Sequence, residues 1–459
     1  MEQHKTAVPG PASPHARPWP LLGHLVPLLR RPLAFMQDAR GMGEVAEIRV
    51  GTTRAYLVNS PELIKRILVT DADQFADLGN LFERPRKWIG PSVVLVTGEQ
   101  HQRQRRALQP AFRRTVVEEQ VETIRQAVVA AGATWEAGRP LAVRDEMYGL
   151  IIRMTYRYLF GADPAPKVLA ELVRLLPVVE KGMAFHVINP LPVLSGLPLP
   201  SFRRFFQAVD RVNQVMSDAV SLMPQPPGAG FVSAARDAHP GGQAELVRAE
   251  ATAMLLGAVP NTSAMLTWAL HELAAAPGLQ QELRDEVRTV TGGRAVTAGD
   301  LHALGGTTRF VQEILRLYAP WLITRRTTAP VVLGTVRLPA GALILISLHA
   351  LHRDPKMFEN PDVCDPARWL PGTAQPVPRE TFLPFGAGKR RCIGEPLALV
   401  ELIITVATVL ADWEVRPLAA RDGGIPRRLA TTAVVHPADV PIIPVPCEYQ
   451  SAPSQGKEP

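Results

Sequence analysis

Cysteine is scarce: the chain of 459 residues has three, Cys364, Cys392 and Cys447. Three thiols in so long a chain make no disulfide framework and fit a reducing cytoplasm. No Cys-x-x-Cys pair occurs, which removes the usual structural zinc sites. The opening MEQHKTAVPGPASPHARPWP lacks a charged start followed by an apolar stretch, so neither signal peptide nor membrane anchor is expected there. Basic residues outnumber acidic ones, giving a net charge of +7, but they are scattered and not interleaved with stacking aromatics. That pattern argues against nucleic acid and leaves a solvated surface, an acidic protein partner or an anionic cofactor. No flavin or nicotinamide fingerprint is present.

Hydrophobic residues make up 46% and charged residues 20%, so most of the length is expected to fold. The 44 prolines and 34 glycines imply many turns. Residues 45–59 read as a hairpin around Gly51. Ser60, Pro61 and Glu62 mark a helix start. Residues 77–97 look loop-like, 101–112 helical until Pro110, and 115–185 mainly helical. Residues 186–200 are apolar but broken by prolines, so an apolar loop is expected. Further helices are expected over 201–222, 244–275, 278–290, 307–318 and 396–412, with a small sheet over 329–347. The run from Ala251 to Leu270 is uncharged and long enough to cross a bilayer, but Pro260, Asn261, Thr262 and Ser263 within it favour a buried core helix. The expected class is mainly α with small β-sheets: one large unit over 19–446, a flexible leader over 1–18 and a flexible tail over 447–459.

The sharpest local feature is FLPFGAGKRRCIGEPLALVELI, Phe382 to Ile403. Cys392 stands among Gly386, Gly388 and Gly394, directly after Lys389, Arg390 and Arg391, with a helix start expected near Pro396. A helix amino terminus and three cations should favour the thiolate. The glycines would let a flat ligand approach the backbone. An anionic cysteine without a Cys or His partner nearby suits a single axial metal ligand, as where haem iron is held for O–O cleavage.

The stretch Phe385 to Gly394 resembles the haem-binding signature of the cytochrome P-450 family in its Phe, its three Gly, the Arg two before the Cys, and the Cys. The resemblance extends from about Pro20 to His436. It implies the family's fold and a haem b cofactor with Cys392 as thiolate ligand, beside Phe385 and Gly386. VQEILRLYAP resembles the family's Glu-x-x-Arg helix, which makes Glu313 and Arg316, with Arg368 of DPARW, a buried charge network that serves haem incorporation. Cys364, just before that segment, is expected only to pack. His101 and Arg105 in HQRQRR, with Arg325 and Arg390, match the family's propionate-binding positions, Arg326 being the alternative to Arg325.

The resemblance sets the long helix across the oxygen-binding face of the haem. There Thr262 matches the family's alcohol, while Val259 stands where Gly is usual and Asn261 where an acid is usual. Pro260 cannot bond the Leu256 carbonyl, so an opening of the helix is expected. An amide cannot gain and lose protons as an acid does, so Asn261 leaves proton delivery to Thr262, waters or substrate hydroxyls. Substrate-pocket walls are implied at Trp88, Ile89, the segment around Met183 to Val187 with Phe185, Ala258, Leu322, Ile323 and Ala430 to Thr432 with Thr431. Their apolar character points to a neutral lipophilic substrate, a terpenoid or other secondary metabolite. Electrons are expected from a ferredoxin and its reductase, docking on Arg103, Arg106, Lys389 and Arg391. Three other readings remain. The same fold could act as a peroxygenase, coupling or rearrangement catalyst, the chain could be a haem sensor or carrier, and a cysteine hydrolase is weaker still.

Overall fold

The uncharged run becomes the middle of the longest helix, Ala244–Ala275, and the other long helices pack around it. The structure is a computed structural model. It describes residues 22–50, 53–77, 80–188, 199–223, 230–239, 243–373, 377–418, 429–431, 434–437 and 441–447. The expected leader and, apart from Cys447, the expected tail lie outside these residues.

A helix apolar on every side must be covered on every side. Val247, Ala251, Leu255, Val259, Thr262, Leu266 and Leu270 are all buried. The helix packs against Val143–Phe160, Pro200–Ser221, Gly305–Tyr318 and Glu395–Asp412. Near its end Trp268 stacks on Tyr318 with centroids 4.0 Å apart, and its indole N–H donates to the Val435 carbonyl at 2.8 Å. By length and hydropathy this helix could span a membrane, yet most of it is buried against its neighbours.

The main sheet comprises β1 (Val45–Val50), β2 (Thr53–Val58), β3 (Phe75–Asp77), β4 (Leu322–Thr327) and β5 (Leu343–Ser347), in spatial order β1-β2-β5-β4-β3. β1 and β2 form the expected hairpin, and Tyr56 lies opposite Ile344 in a parallel pairing of β2 with β5. β4 runs antiparallel to both neighbours, with Arg325 opposite Ile344 and Asp77. The sheet expected over 329–347 is divided. Val331–Leu333 and Val336–Leu338 make a separate hairpin, whereas Leu343–Ser347 joins the main sheet. The class is mainly helical with small sheets.

One expected loop is a helix. Asn80–Ile89 is helical despite Pro85, which removes one backbone donor. Tertiary packing outweighs that loss. The Trp88 ring meets Phe205 and Phe206 edge-on at 5.1 and 5.7 Å, and the Trp88 carbonyl accepts from Asn213 at 2.8 Å. The apolar loop expected over 186–200 falls mostly on undescribed residues. The flanking helices, Pro166–Ile188 and Pro200–Ser221, encroach on its ends.

Glu401, on helix Glu395–Asp412, is buried, and it lines a small hollow of about 190 Å³ with Ile124, Met154 and Tyr158. Burial alone pushes its carboxyl up to about 8. The folded state thus holds this proton more tightly than the unfolded chain. The stabilisation is complete below the ordinary carboxyl value and disappears as pH rises through about 8. Glu401→Gln should therefore raise the thermal midpoint relative to the parent more at pH 9 than at pH 5, as calorimetry would show. A constant difference would contradict this.

Candidate functional site

Two backbone bonds shape the cysteine loop: Gly386 N–H to Leu383 O and Cys392 N–H to Phe385 O, both 2.9 Å. Gly386 and Gly388 adopt φ of +70° and +68°, the region that favours glycine. A Cβ on Gly388 would lie 1.9 Å from the Leu68 carbonyl oxygen, so the loop passes too close to that backbone for any other residue. Among the described residues, a Cβ added at Gly386 would touch only Ile323, at 3.9 Å, which leaves this flank open to a flat guest. After Cys392 the chain enters Glu395–Asp412 through Gly394, with proline in the first turn.

The electrostatics differ from the expectation that three adjacent cations favour the thiolate. Lys389 bonds Asp73 at 2.6 Å, and Arg391 bonds Glu395 at 2.5 and 2.6 Å. Arg390 donates to the Val93 and Val96 carbonyls at 3.1 and 2.5 Å. Burial pushes the Cys392 thiol up, with Glu395 adding to the rise. The backbone N–H groups of Gly394 and Glu395 and the Arg105 guanidinium oppose it. Before any metal binds, burial wins and the neutral thiol is favoured. The donors that would hold an anionic sulfur are already aimed. Cys392 keeps an exposed surface, while enough of the fold surrounds it for desolvation to dominate its acidity.

Cations from separate elements gather around this loop. His101 is buried and Arg105 partly buried, one turn apart on Gly98–Leu108. Burial lowers the pKa of Arg105, whose charged neighbours are Cys392 and Arg390. No carboxylate pairs with Arg105 among the described residues. Alternation along β4 puts Ile323 and Arg325 on one face and Leu322, Thr324 and Arg326 on the other. Each arginine donates to a backbone carbonyl, Arg325 to Thr324 at 2.8 Å and Arg326 to Gly341 at 2.9 Å, but Arg325 is the more buried and shares its face with Ile323, the residue that approaches Gly386. The geometry therefore favours Arg325 over Arg326. An accessible sulfur at depth, an open glycine flank and a desolvated arginine without a carboxylate fit a flat, dianionic ligand such as haem.

Glu313, Arg316 and Arg368 meet. Arg316 makes a two-pronged bond to Glu313 at 2.9 and 2.8 Å, and Arg368 Nε donates to Glu313 at 2.9 Å. Glu313 and Arg316 are almost fully buried. The sequence reading missed two further donors to Glu313: the Trp369 indole N–H at 3.0 Å and the Asp365 backbone N–H at 3.0 Å. It also missed His352. The Leu383 N–H can only donate, so His352 Nε2 accepts it at 3.1 Å, and Nδ1 donates to the Arg316 carbonyl at 3.1 Å. Burial holds this imidazole neutral, its pKa down at about 3. His352 thus ties the charge network to the root of the cysteine loop. Cys364 is partly buried against the core, and burial pushes its thiol up.

The long helix does not open at Pro260. It is helical throughout Ala244–Ala275, and the Asn261 amide donates to the Gly257 carbonyl at 2.6 Å. That carbonyl is not the one left without its donor by Pro260, which belongs to Leu256. The hydroxyls of Ser263 and Thr267 donate back to Val259 and Ser263, at 2.6 and 2.7 Å. The Thr262 hydroxyl makes no such bond among the described residues. Met254, Gly257, Ala258 and Asn261, spaced as one helix face, are the less buried stripe of this core helix. Beside it Ile89, Leu95 and Ala253 form an apolar cluster with Met183 and Leu256. Of the other expected wall residues, Leu322 packs on the main core, and Phe185 is 45% exposed with its ring 5.4 Å from Phe202. The backbone of Thr431 lies in a short strand, and its side chain is outside the described set.

The chain matches the family model described as Cytochrome P450 over residues 11–439. It is 36% identical to cyclooctatin synthase of Streptomyces melanosporofaciens over 408 residues, 87% of this chain and 89% of that protein. It is 34% identical to cyclooctat-9-en-7-ol 5-monooxygenase of the same organism, over 91% of this chain and 95% of the other. Pentalenene oxygenase of Streptomyces avermitilis is 32% identical over 94% of this chain and 98% of its own length.

Glu313→Ala would strand Arg316 in the interior. Removing one partner of a buried pair costs about 3–5 kcal/mol. Urea unfolding should show a loss of that size, and a loss below about 1 kcal/mol, the worth of a surface pair, would contradict the network's role.

Proposed function

The chain belongs to the cytochrome P450 family, and we propose that it is a haem-thiolate monooxygenase acting on a neutral lipophilic substrate, a terpenoid or related secondary metabolite. The reaction consumes one dioxygen, two electrons and two protons, converts a C–H bond to C–OH and releases one water. The observation that carries the reading is Cys392, desolvated by the fold yet exposed at its surface, with two backbone N–H groups and Arg105 disposed toward its sulfur. Haem held by a thiolate supplies dioxygen activation.

The chain's residues have separable tasks in this reading. Cys392 is the ligand, flanked by Phe385 and Gly386. His101, Arg105, Arg325 and Arg390 would hold the propionates, a guanidinium being able to match a carboxylate with two donors and the imidazole with one. Thr262 offers a hydroxyl without an intrahelical acceptor, able to accept one proton while passing another. Asn261 exchanges no proton and has its N–H committed to Gly257. Proton supply then runs through Thr262, water and any hydroxyl on the substrate. Trp88, Ile89, Met183, Ala258 and Ile323 contribute apolar walls. The relatives' names support the substrate class, since pentalenene is named as an olefin and cyclooctat-9-en-7-ol as an unsaturated alcohol.

Electrons come from a ferredoxin and ferredoxin reductase, and the protein is cytoplasmic. Arg103 and Arg106 are exposed, and Lys389 and Arg391 sit in exposed ion pairs that docking can rearrange at little cost. Raising the salt should slow electron transfer from ferredoxin, measured by stopped-flow absorbance. A rate indifferent to salt would remove the electrostatic dock.

Incubation with cyclic sesquiterpene and diterpene olefins and their alcohols, under isotopically heavy dioxygen with the ferredoxin system, tests the reaction. One heavy oxygen per product is expected. Equal turnover with hydrogen peroxide alone would favour a peroxygenase, the reading that Asn261 in place of an acid keeps open. Asn261→Asp should raise product formed per NADPH consumed, and unchanged coupling would show that proton delivery does not pass this position.

A further inference from the structure

Glu250 is the most completely buried carboxylate outside the network described above, 0% exposed in the second turn of Ala244–Ala275. Its oxygens accept the backbone N–H of Val93, at 3.1 and 2.9 Å, and one lies 3.3 Å from Nε2 of His239, itself buried. The next carbonyl along, that of Val93, accepts from Arg390 of the cysteine loop at 3.1 Å, and Arg390 also takes the Val96 carbonyl. Gln104 holds the Pro91 carbonyl at 3.0 Å. Residues 91–96 are thus pinned between the long helix on one side and the cysteine loop on the other. A buried acid is expensive to keep, and an apolar residue of its volume would pack there as well. What the carboxylate adds is a fixed position for a loop that has little regular structure of its own.

That position matters because of what the loop carries. Leu95, two residues past Val93, and Ile89, just before the loop, form the apolar cluster with Ala253 and Leu256 of the long helix and Met183 opposite. Ala253 lies one turn beyond Glu250 and borders the uncovered stripe of Met254, Gly257, Ala258 and Asn261. We propose that Glu250, oriented by His239, is a specificity-determining positioning residue. By holding the Val93 N–H it sets where Ile89 and Leu95 stand against the long helix, and so which shapes of apolar ligand the pocket accepts. This inference rests on the haem-pocket reading above. It adds a residue that touches neither haem nor substrate.

Two variants separate the role from simple packing. Glu250→Leu keeps the volume and removes the acceptor, whereas Glu250→Gln keeps an acceptor for Val93 and a donor for His239. In haem-loaded protein, amide hydrogen exchange at Val93 should be slow in the parent and in Glu250→Gln, and at least about tenfold faster in Glu250→Leu. Spectral titration with 4-phenylimidazole, whose ring must fit the pocket wall, should weaken about tenfold in Glu250→Leu and about twofold or less in Glu250→Gln. Imidazole, too small to reach the wall, should bind all three alike. Fast exchange at Val93 in the parent would overturn the proposal even if Glu250→Leu fails to fold. So would unchanged 4-phenylimidazole affinity in Glu250→Leu, or equal weakening of both probes. If imidazole gives no spectral change in the parent, the haem-pocket reading falls instead, and Val93 exchange alone judges the latch.

Discussion

On the proposed reading, a sulfur that must carry negative charge inside a protein is the constraint on which the rest of the structure depends. Desolvation drives Cys392 toward the neutral thiol. The fold answers with fixed dipoles and a nearby cation rather than with solvent. For those to act, the loop has to be held rigidly. Gly388 lets it press against the Leu68 carbonyl, where any side chain would collide. The N–H groups at the start of Glu395–Asp412 can then meet the sulfur only because the loop ends where the helix begins. His352 extends the restraint backward, joining the loop's root to the Arg316 carbonyl and so to the Glu313 network.

The cysteine loop and the long helix are coupled through a short connecting segment. Arg390, two residues before the cysteine, and Glu250, on the long helix, grip the same stretch of backbone from opposite directions. Opposite charges suit this task because one takes carbonyls and the other takes an N–H. The long helix brings its own adaptation. Near Pro260 the Asn261 amide bonds the Gly257 carbonyl and the Ser263 hydroxyl that of Val259, and the helix continues unbroken past the proline. The Thr262 hydroxyl is left over from that arrangement.

Much of the fold was legible because long helices announce themselves by period and by caps. The span 244–275 was read with the ends it has, and Ser60 caps the helix that starts at Pro61, accepting from Leu63 at 3.4 Å. The family was legible from the resemblance of one loop to its haem-binding signature, and of the loop's glycines Gly388 is the one that backbone crowding requires. What was illegible depended on partners distant in sequence. Asn80–Ile89 reads as a loop until Trp88 is seen against Phe205 and Phe206. Lys389 and Arg391 read as neighbours of the sulfur until Asp73 and Glu395 claim them. The break expected at Pro260 ignored an amide one residue later that bonds the helix to itself. No local pattern marks His352, whose partners are backbone groups, or Glu250, which meets the Val93 N–H and the His239 ring.

The central claim is that Cys392 supplies the anionic sulfur beneath a haem. Its most direct test is the absorption spectrum of the purified protein, reduced and exposed to carbon monoxide, beside that of Cys392→Ala. The account predicts a bound porphyrin and the red-shifted Soret band of a thiolate-ligated carbonyl complex in the parent, and loss of that band in the variant. A parent without porphyrin, or a variant with an unchanged band, would contradict it.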